Sequence, residues 1–369
     1  MRRPLVAIDA RGYFTRGGVG RYTRNLVDHL LTTARRELSF RLLISNRHRP
    51  EDLVLPPGTS ADVVVSRATW QDSDQENRYL ADEVTGVDLF HSLTGQWVPV
   101  VTPAVSTIHD VTPLVCPALI ADPIRAMFER ICRGLPRSRA VIADSHHTAR
   151  DLVRLLDVDP ERITTVHAAV DDCFVARPPD WAALASFGVE PDGFFLAVGV
   201  TAPHKNLLGL LRAYAASSAS SPLIIVAASG PGADVAREAV DRLRLADRVR
   251  VVPAPGDEKL ASLYGACRGF IYPSFYEGFG LPVLEAMACG APVICSDNSS
   301  LPEVAGESAL FVAADRGDEI AGAIRTLDAD ADLRARLRAS GPPQAARFSW
   351  PRAARQTIGV YQRVLRDAA

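Results

Sequence analysis

Short apolar runs recur along this 369-residue chain, and each is followed by a segment with helical periodicity. A strand–helix alternation of this kind buries both faces of a sheet only in a parallel α/β arrangement. The first series of runs is Leu5–Ile8, Phe40–Ser45, Asp62–Val65, Asp88–His91, Val105–Ile108 and Ala140–Ala143. A second series follows at Phe194–Val198, Leu223–Ala227, Val249–Pro253, Gly269–Tyr272, Pro292–Cys295 and Ala309–Val312. Between them, Asp171–Gly193 carries Pro178-Pro179 and Pro191-Asp192-Gly193, which break regular structure around a short helix at Trp181–Phe187. At ~100–200 residues per domain, the length also argues for two domains. We therefore expect one domain over residues 1–176, with a final amphipathic helix (352–369) packing back onto it, and a second over 177–351.

Composition narrows the class. Hydrophobic residues make up 47% and charged residues 23%, the balance of a globular protein, and a formal net charge of −2 offers no whole-chain attraction for nucleic acid. The six cysteines include no Cys-x-x-Cys pair, so reduced thiols of a cytoplasmic enzyme are expected and a zinc site is not. The first apolar run is too short for a secretory signal, and no segment reaches the ~20 apolar residues of a membrane span.

The densest cluster of chemistry is Ser274–Glu285, SFYEGFGLPVLE. It follows an apolar run and opens a helix, with Pro282 suited to the first turn. Glu277 lies in the loop and Glu285 in the helix, so a neutral polyhydroxylated ligand would meet acceptors at both ends. Backbone N–H groups of Gly278, Phe279, Gly280 and Leu281 lie between them. A Glu near a helix start also serves the helix dipole, so this cluster alone does not decide between ligand and structure.

Other positions add to it. Lys205 precedes a helix with apolar positions at Leu207, Leu208, Leu211 and Tyr214. A cation at that end opposes the dipole and makes sense if an anion binds there. Gly17, Gly18 and Gly20 open the first long helix and permit close backbone approach, without the spacing of a dinucleotide or P-loop motif. His109 ends the run Val105–Ile108 and is followed by Asp110, at the strand end where open α/β sheets hold ligands. The helix near 123–139 sets Arg125, Arg130, Arg133, Arg137 and Arg139 beside apolar residues. This is an ordinary solvated face or a peripheral contact with an anionic membrane surface.

With these pieces in place the chain resembles the family 4 glycosyltransferases of the GT-B fold. The resemblance rests on SFYEGFGLPVLEAMACGAPVICSDNSSLPEVAGESALFV (274–312), supported by RGGVGRYTRNL, STIHD, ADSHHTARDL, RITTVHAAVDDCF and APHKN in family order. It implies two Rossmann-like domains facing across a cleft. It also implies retaining transfer of a sugar from a nucleotide diphosphate donor to a glycan, a lipid-linked acceptor or a small molecule. By resemblance, Glu285 binds the donor ribose, Glu277 the donor sugar, and Lys205 the diphosphate. The amides of residues 278–281 serve sugar and phosphate, Gly17, Gly18 and Gly20 approach the phosphates, and His109 lies near the sugar. Catalysis is thus assigned to Glu277, Lys205 and His109.

One position departs from the pattern. Val200 stands where many members carry an Arg, and His204 where an Arg often precedes the Lys, leaving Lys205, helix N-termini and Arg16 or Arg21 to neutralise the diphosphate. No cofactor or metal is expected, because Asp328-Ala329-Asp330 reads as the start of a surface helix rather than a metal loop. The TIHD and KN segments are most similar to mannosyltransferase-like members and favour a GDP-mannose-type donor, with a UDP-sugar next. A nucleotide-sugar epimerase, a phosphorylase or a non-catalytic binding protein of the same architecture are the alternatives. A cytoplasmic location is expected, with the inner membrane face as the site of any peripheral contact.

Overall fold

The structure is a computed structural model and describes residues 2–15, 17–68, 73–93, 102–228 and 230–368; Arg16 lies outside them. The chain divides into two compact units. The first comprises Met1–Leu114, Ala121–Ala169 and Ser349–Ala369, and the second Val115–Ile120 and Val170–Phe348.

The first unit is built on β1 (Leu5–Asp9), β2 (Ser39–Ser45), β3 (Asp62–Ser66), β4 (Leu89–Ser92), β5 (Ala104–Ile108), β6 (Ala140–Ala143) and β7 (Ile163–Thr165). They form one parallel sheet in the order β3-β2-β1-β4-β5-β6-β7. The second unit contains β8 (Phe195–Val198), β9 (Leu223–Ala227), β10 (Val249–Pro253), β11 (Gly269–Tyr272), β12 (Val293–Ser296) and β13 (Ala309–Val312). Their order, β10-β9-β8-β11-β12-β13, is again wholly parallel. Central strands such as FLAV, GFIY and AVIA are apolar throughout because helices cover both faces of a parallel sheet.

Both strand orders start in the middle of the sheet, run to one edge and then return. The reversal lies between β1 and β4 in the first unit and between β8 and β11 in the second. Open parallel sheets bind their ligands at the strands' carboxyl ends beside such a reversal.

Local chemistry explains the glycines at the first reversal. Gly17, which caps the helix Gly18–Thr33, has φ 97°, a conformation that costs a residue with a Cβ. Gly20 lies so close to the Thr15 carbonyl that a Cβ there would collide with it. The loop therefore folds onto its helix only with these residues. The final helix, Trp350–Asp367, belongs to the first unit and buries Ala354, Ile358 and Tyr361, with Trp350 edge-on to Tyr22.

Several elements depart from the expected pattern. Strand β7 went unpredicted because three half-buried residues, two of them threonine, carry no apolar run. Asp328-Ala329-Asp330 does not begin a helix: Asp328 and Ala329 end Gly317–Ala329, and Asp330 caps Ala331–Ala345 through Leu333 N. Asp328 accepts from Ser220 N and pairs with Arg268 at 2.8 Å, so these acids serve the fold. In the basic helix, Asp122–Gly134, Phe128 and Ile131 are buried, whereas Ile124 and Arg133 are exposed and Arg125 pairs with Asp122. No helix of the described residues is long and apolar enough to cross a membrane.

Candidate active site

In the second unit the loops leaving β8 and β11 are tied together at the reversal. Asn206, in the left-handed region at φ 60°, donates through Nδ2 to Pro273 O at 3.1 Å and Ala314 O at 2.6 Å. Gly209 leaves room for that amide, since a Cβ there would strike it. Phe275 N in turn donates to His204 O at 2.8 Å. A third segment, after β12, supports the β11 loop: Ser299 Oγ accepts from Glu277 N at 3.1 Å, and Ser300 Oγ donates to Glu277 O and Phe279 O.

These ties bring Lys205 and Glu277 together from positions far apart in sequence. Lys205 Nζ lies 2.6 and 2.7 Å from the two Glu277 carboxylate oxygens and 2.8 Å from Tyr272 Oη. Burial opposes the charged ammonium, but the Glu277 carboxylate outweighs it and raises the Lys205 pKa above the ordinary lysine value. The dipole conflict read from the sequence is thereby resolved locally. Lys205 ends a short turn, Pro203–Lys205, ahead of the helix Leu207–Ser217, and the anion beside it is Glu277. Val200 is fully buried, so the position where many family 4 members carry an arginine turns into the core here.

Beyond the loop, Gly280 caps the helix Leu281–Ala288 at φ 101°. A Cβ on Gly280 would lie 2.6 Å from Leu301 Cδ2, which adds a steric reason for glycine. Phe279 is buried edge-on against Phe348, leaving its backbone as the part able to serve a ligand. Glu285 is 2% exposed and accepts from Tyr264 Oη at 3.2 Å. A buried carboxylate needs partners of this kind, because its desolvation is costly.

In the first unit His109 follows β5 with both ring nitrogens engaged. Nδ1 lies 2.7 Å from Asp144 Oδ2, and Nε2 donates to Leu93 O at 2.8 Å. Burial disfavours the imidazolium, but the Asp144 carboxylate prevails and raises the pKa. Tyr22 packs edge-on against the ring, with centroids 4.7 Å apart. Nearby His91 is the opposite case. Its Nδ1 meets Tyr361 Oη at 2.6 Å and its Nε2 meets Thr107 Oγ1 at 2.8 Å, and burial lowers its pKa to about 3.

His91 therefore stays neutral when folded and takes a proton near pH 6.5 when unfolded, so stability falls as pH drops from 6.5 towards 3. His109, whose pKa is raised, gives a slope of the opposite sign at the top of that window, and this slope is common to the parent and the variant. The melting temperature of His91→Gln is expected to fall less steeply than that of the parent between pH 6.5 and 4. The limiting difference is about 1.4 kcal/mol per pH unit; parallel curves would contradict it.

Sequence reasoning missed Tyr272 and the Ser299-Ser300 support. Tyr272 looked like one more apolar strand residue, and the serines like turn residues. Their signal was position: each sits at the carboxyl end of a strand beside the reversal or its neighbour.

Comparison with known proteins places the chain in a family and a fold. Residues 16–173 match the model of Glycosyltransferase Family 4 and residues 184–343 that of Glycosyl transferases group 1. The chain is 35% identical over 266 residues to O-antigen chain mannosyltransferase B of Escherichia coli, covering 70% of each protein. Sucrose-phosphate synthase from Thermosynechococcus elongatus has the same fold, with TM-score 0.81 and 22% identity over the whole of both chains. Anabaena HepE, solved in complex with UDP and glucose, follows at TM-score 0.73 and 17% identity, covering 98% of this chain and all of its own. Two parallel α/β units, the reversal-point loops and these similarities lead to one conclusion: the chain is a glycosyltransferase of family 4, with the GT-B fold.

Proposed function

We propose that the chain transfers a hexose, with retention, from a nucleoside diphosphate donor to a hydroxyl of a glycan, lipid-linked or small-molecule acceptor. The observation that carries this reading is the Lys205–Glu277 pair, held at the carboxyl ends of β8 and β11, with Glu285 buried in the helix that follows. Similarity to a mannosyltransferase favours a GDP-mannose-type donor, and the UDP complex of a protein of the same fold keeps a UDP-sugar next. None of the comparisons reported above points to an epimerase.

In this reading, breaking the donor's glycosidic bond builds positive charge on the sugar and negative charge on the diphosphate. Lys205 and the amides of residues 278–281 stabilise the diphosphate, and groups fixed in advance do so without reorganisation. Glu277 accepts from the sugar hydroxyls, and Glu285 accepts from the ribose. By family resemblance alone, Gly17, Gly18 and Gly20 are assigned to the phosphates and His109, whose pKa Asp144 raises, to the donor sugar. Exposed Arg133, with exposed Arg137 and Arg139 just beyond the helix Asp122–Gly134, is the surface for an anionic membrane at the cytoplasmic face.

A thermal-shift screen against nucleotide sugars, followed by a donor-hydrolysis assay on each hit, tests the proposal. The expected result is a shift with GDP-mannose, and hydrolysis that survives chelator. Release of an epimerised nucleotide sugar, or activity lost to chelator and restored by magnesium, would contradict it.

A further inference from the structure

The ammonium of Lys205 has three N–H bonds to give. Two go to the oxygens of Glu277 and the third to the hydroxyl of Tyr272. A donor bound as proposed above needs Lys205 for its diphosphate and Glu277 for its sugar hydroxyls, so it must draw the two apart. Parting a buried ion pair leaves each charge short of compensation. The contact of Lys205 that this exchange does not consume is Tyr272.

Tyr272 is built to stay in place. It is the last residue of β11, it is 1% exposed, and its ring stacks on Phe270 with centroids 5.7 Å apart. Lys205 Nζ lies 5.3 Å from the ring centroid, so the π face as well as the hydroxyl attracts the cation. Burial, and after it the charge of the Glu277 carboxylate, raises the pKa of the hydroxyl above the ordinary tyrosine value. Neutral across the working range, it accepts from Lys205 with a lone pair. Its neighbour Pro273 is tied by Asn206, which fixes the strand end that carries the ring.

We propose that Tyr272 is a positioning residue for sugar transfer: it holds the Lys205 ammonium in line with a nucleoside diphosphate while Glu277 turns to the sugar. This rests on Lys205 serving the diphosphate. The test is a double-mutant cycle of Tyr272→Phe and Lys205→Ala, read as kcat and donor KM with GDP-mannose or the best nucleotide sugar of the screen. The phenylalanine keeps the ring and its stacking, and melting temperatures check that each variant folds.

Tyr272→Phe is expected to lower kcat about 10-fold, the scale of a hydrogen bond to a charged group, with a smaller change in KM. In the Lys205→Ala background it is expected to change nothing further, because the group it positions is gone. An unchanged kcat for Tyr272→Phe, with Lys205→Ala strongly impaired, overturns the role of Tyr272 and leaves that of Lys205 standing. An equal loss in both backgrounds marks a purely structural residue and also overturns it. Near-normal turnover of Lys205→Ala overturns both assignments together.

Discussion

Replacement of Lys205 by alanine is expected to cut turnover at least ~100-fold, comparable with the loss of an oxyanion donor. The leaving diphosphate gains charge as the glycosidic bond breaks, so a fixed cation acts more strongly on the transition state than on the bound donor. The loss should therefore fall mainly on kcat rather than on nucleoside diphosphate affinity. A second consequence comes from the structure. Glu277 is 7% exposed and loses its counter-ion in this variant, so the melting temperature is expected to fall as well. Lys205→Ala,Glu277→Gln removes that charge imbalance: it should recover stability without recovering turnover. Arginine is not an equivalent replacement, since a planar guanidinium does not reproduce three bonds from one nitrogen. Near-normal turnover in Lys205→Ala would end the assignment.

The second large effect separates the two glutamates. Glu277→Ala is expected to damage sugar transfer more than nucleoside diphosphate binding, and to destabilise the second unit because Lys205 is left without its carboxylate. Breaking such a pair costs up to about 3–5 kcal/mol when both partners are fully buried. The Lys205 side chain is 19% exposed, so the cost here lies below that limit. Glu285→Ala is expected to weaken nucleoside diphosphate binding at least ~10-fold, the scale of a hydrogen bond to a charged group, with the Tyr264 hydroxyl losing its acceptor. Isothermal titration of both variants with the nucleoside diphosphate decides the matter. Normal binding by Glu285→Ala would refute the ribose role, and equal losses of binding in both variants would refute the division of labour.

Much of the fold was legible because buried parallel strands are short apolar runs, and twelve of them stand out between helical segments. Strand β7 did not, since a three-residue edge strand with two threonines has no such run. The boundary between the helices Gly317–Ala329 and Ala331–Ala345 was misread for a related reason. An Asp at a helix cap and an Asp in a last turn look alike until the chain's hydrogen bonds are known. Glycines were legible as sites of close approach, but not what approaches them. For Gly20 it is the Thr15 carbonyl, and for Gly280 the Leu301 side chain.

The stretch SFYEGFGLPVLE determined a strand, a glycine-bearing loop and a helix start, and with its family order it determined the class of chemistry. Spacing along a chain states which residues are available, not which of them meet. Lys205 and Glu277 stand 72 positions apart, and only the β8–β11 reversal sets them 2.6 Å from each other. Tertiary structure alone decided that the lysine's anion within the fold is a glutamate, that Val200 turns into the core, and that Tyr272 meets the lysine of the pair. The physical reason is that charge pairing inside a protein depends on distance and burial, and both are products of how the sheet is ordered.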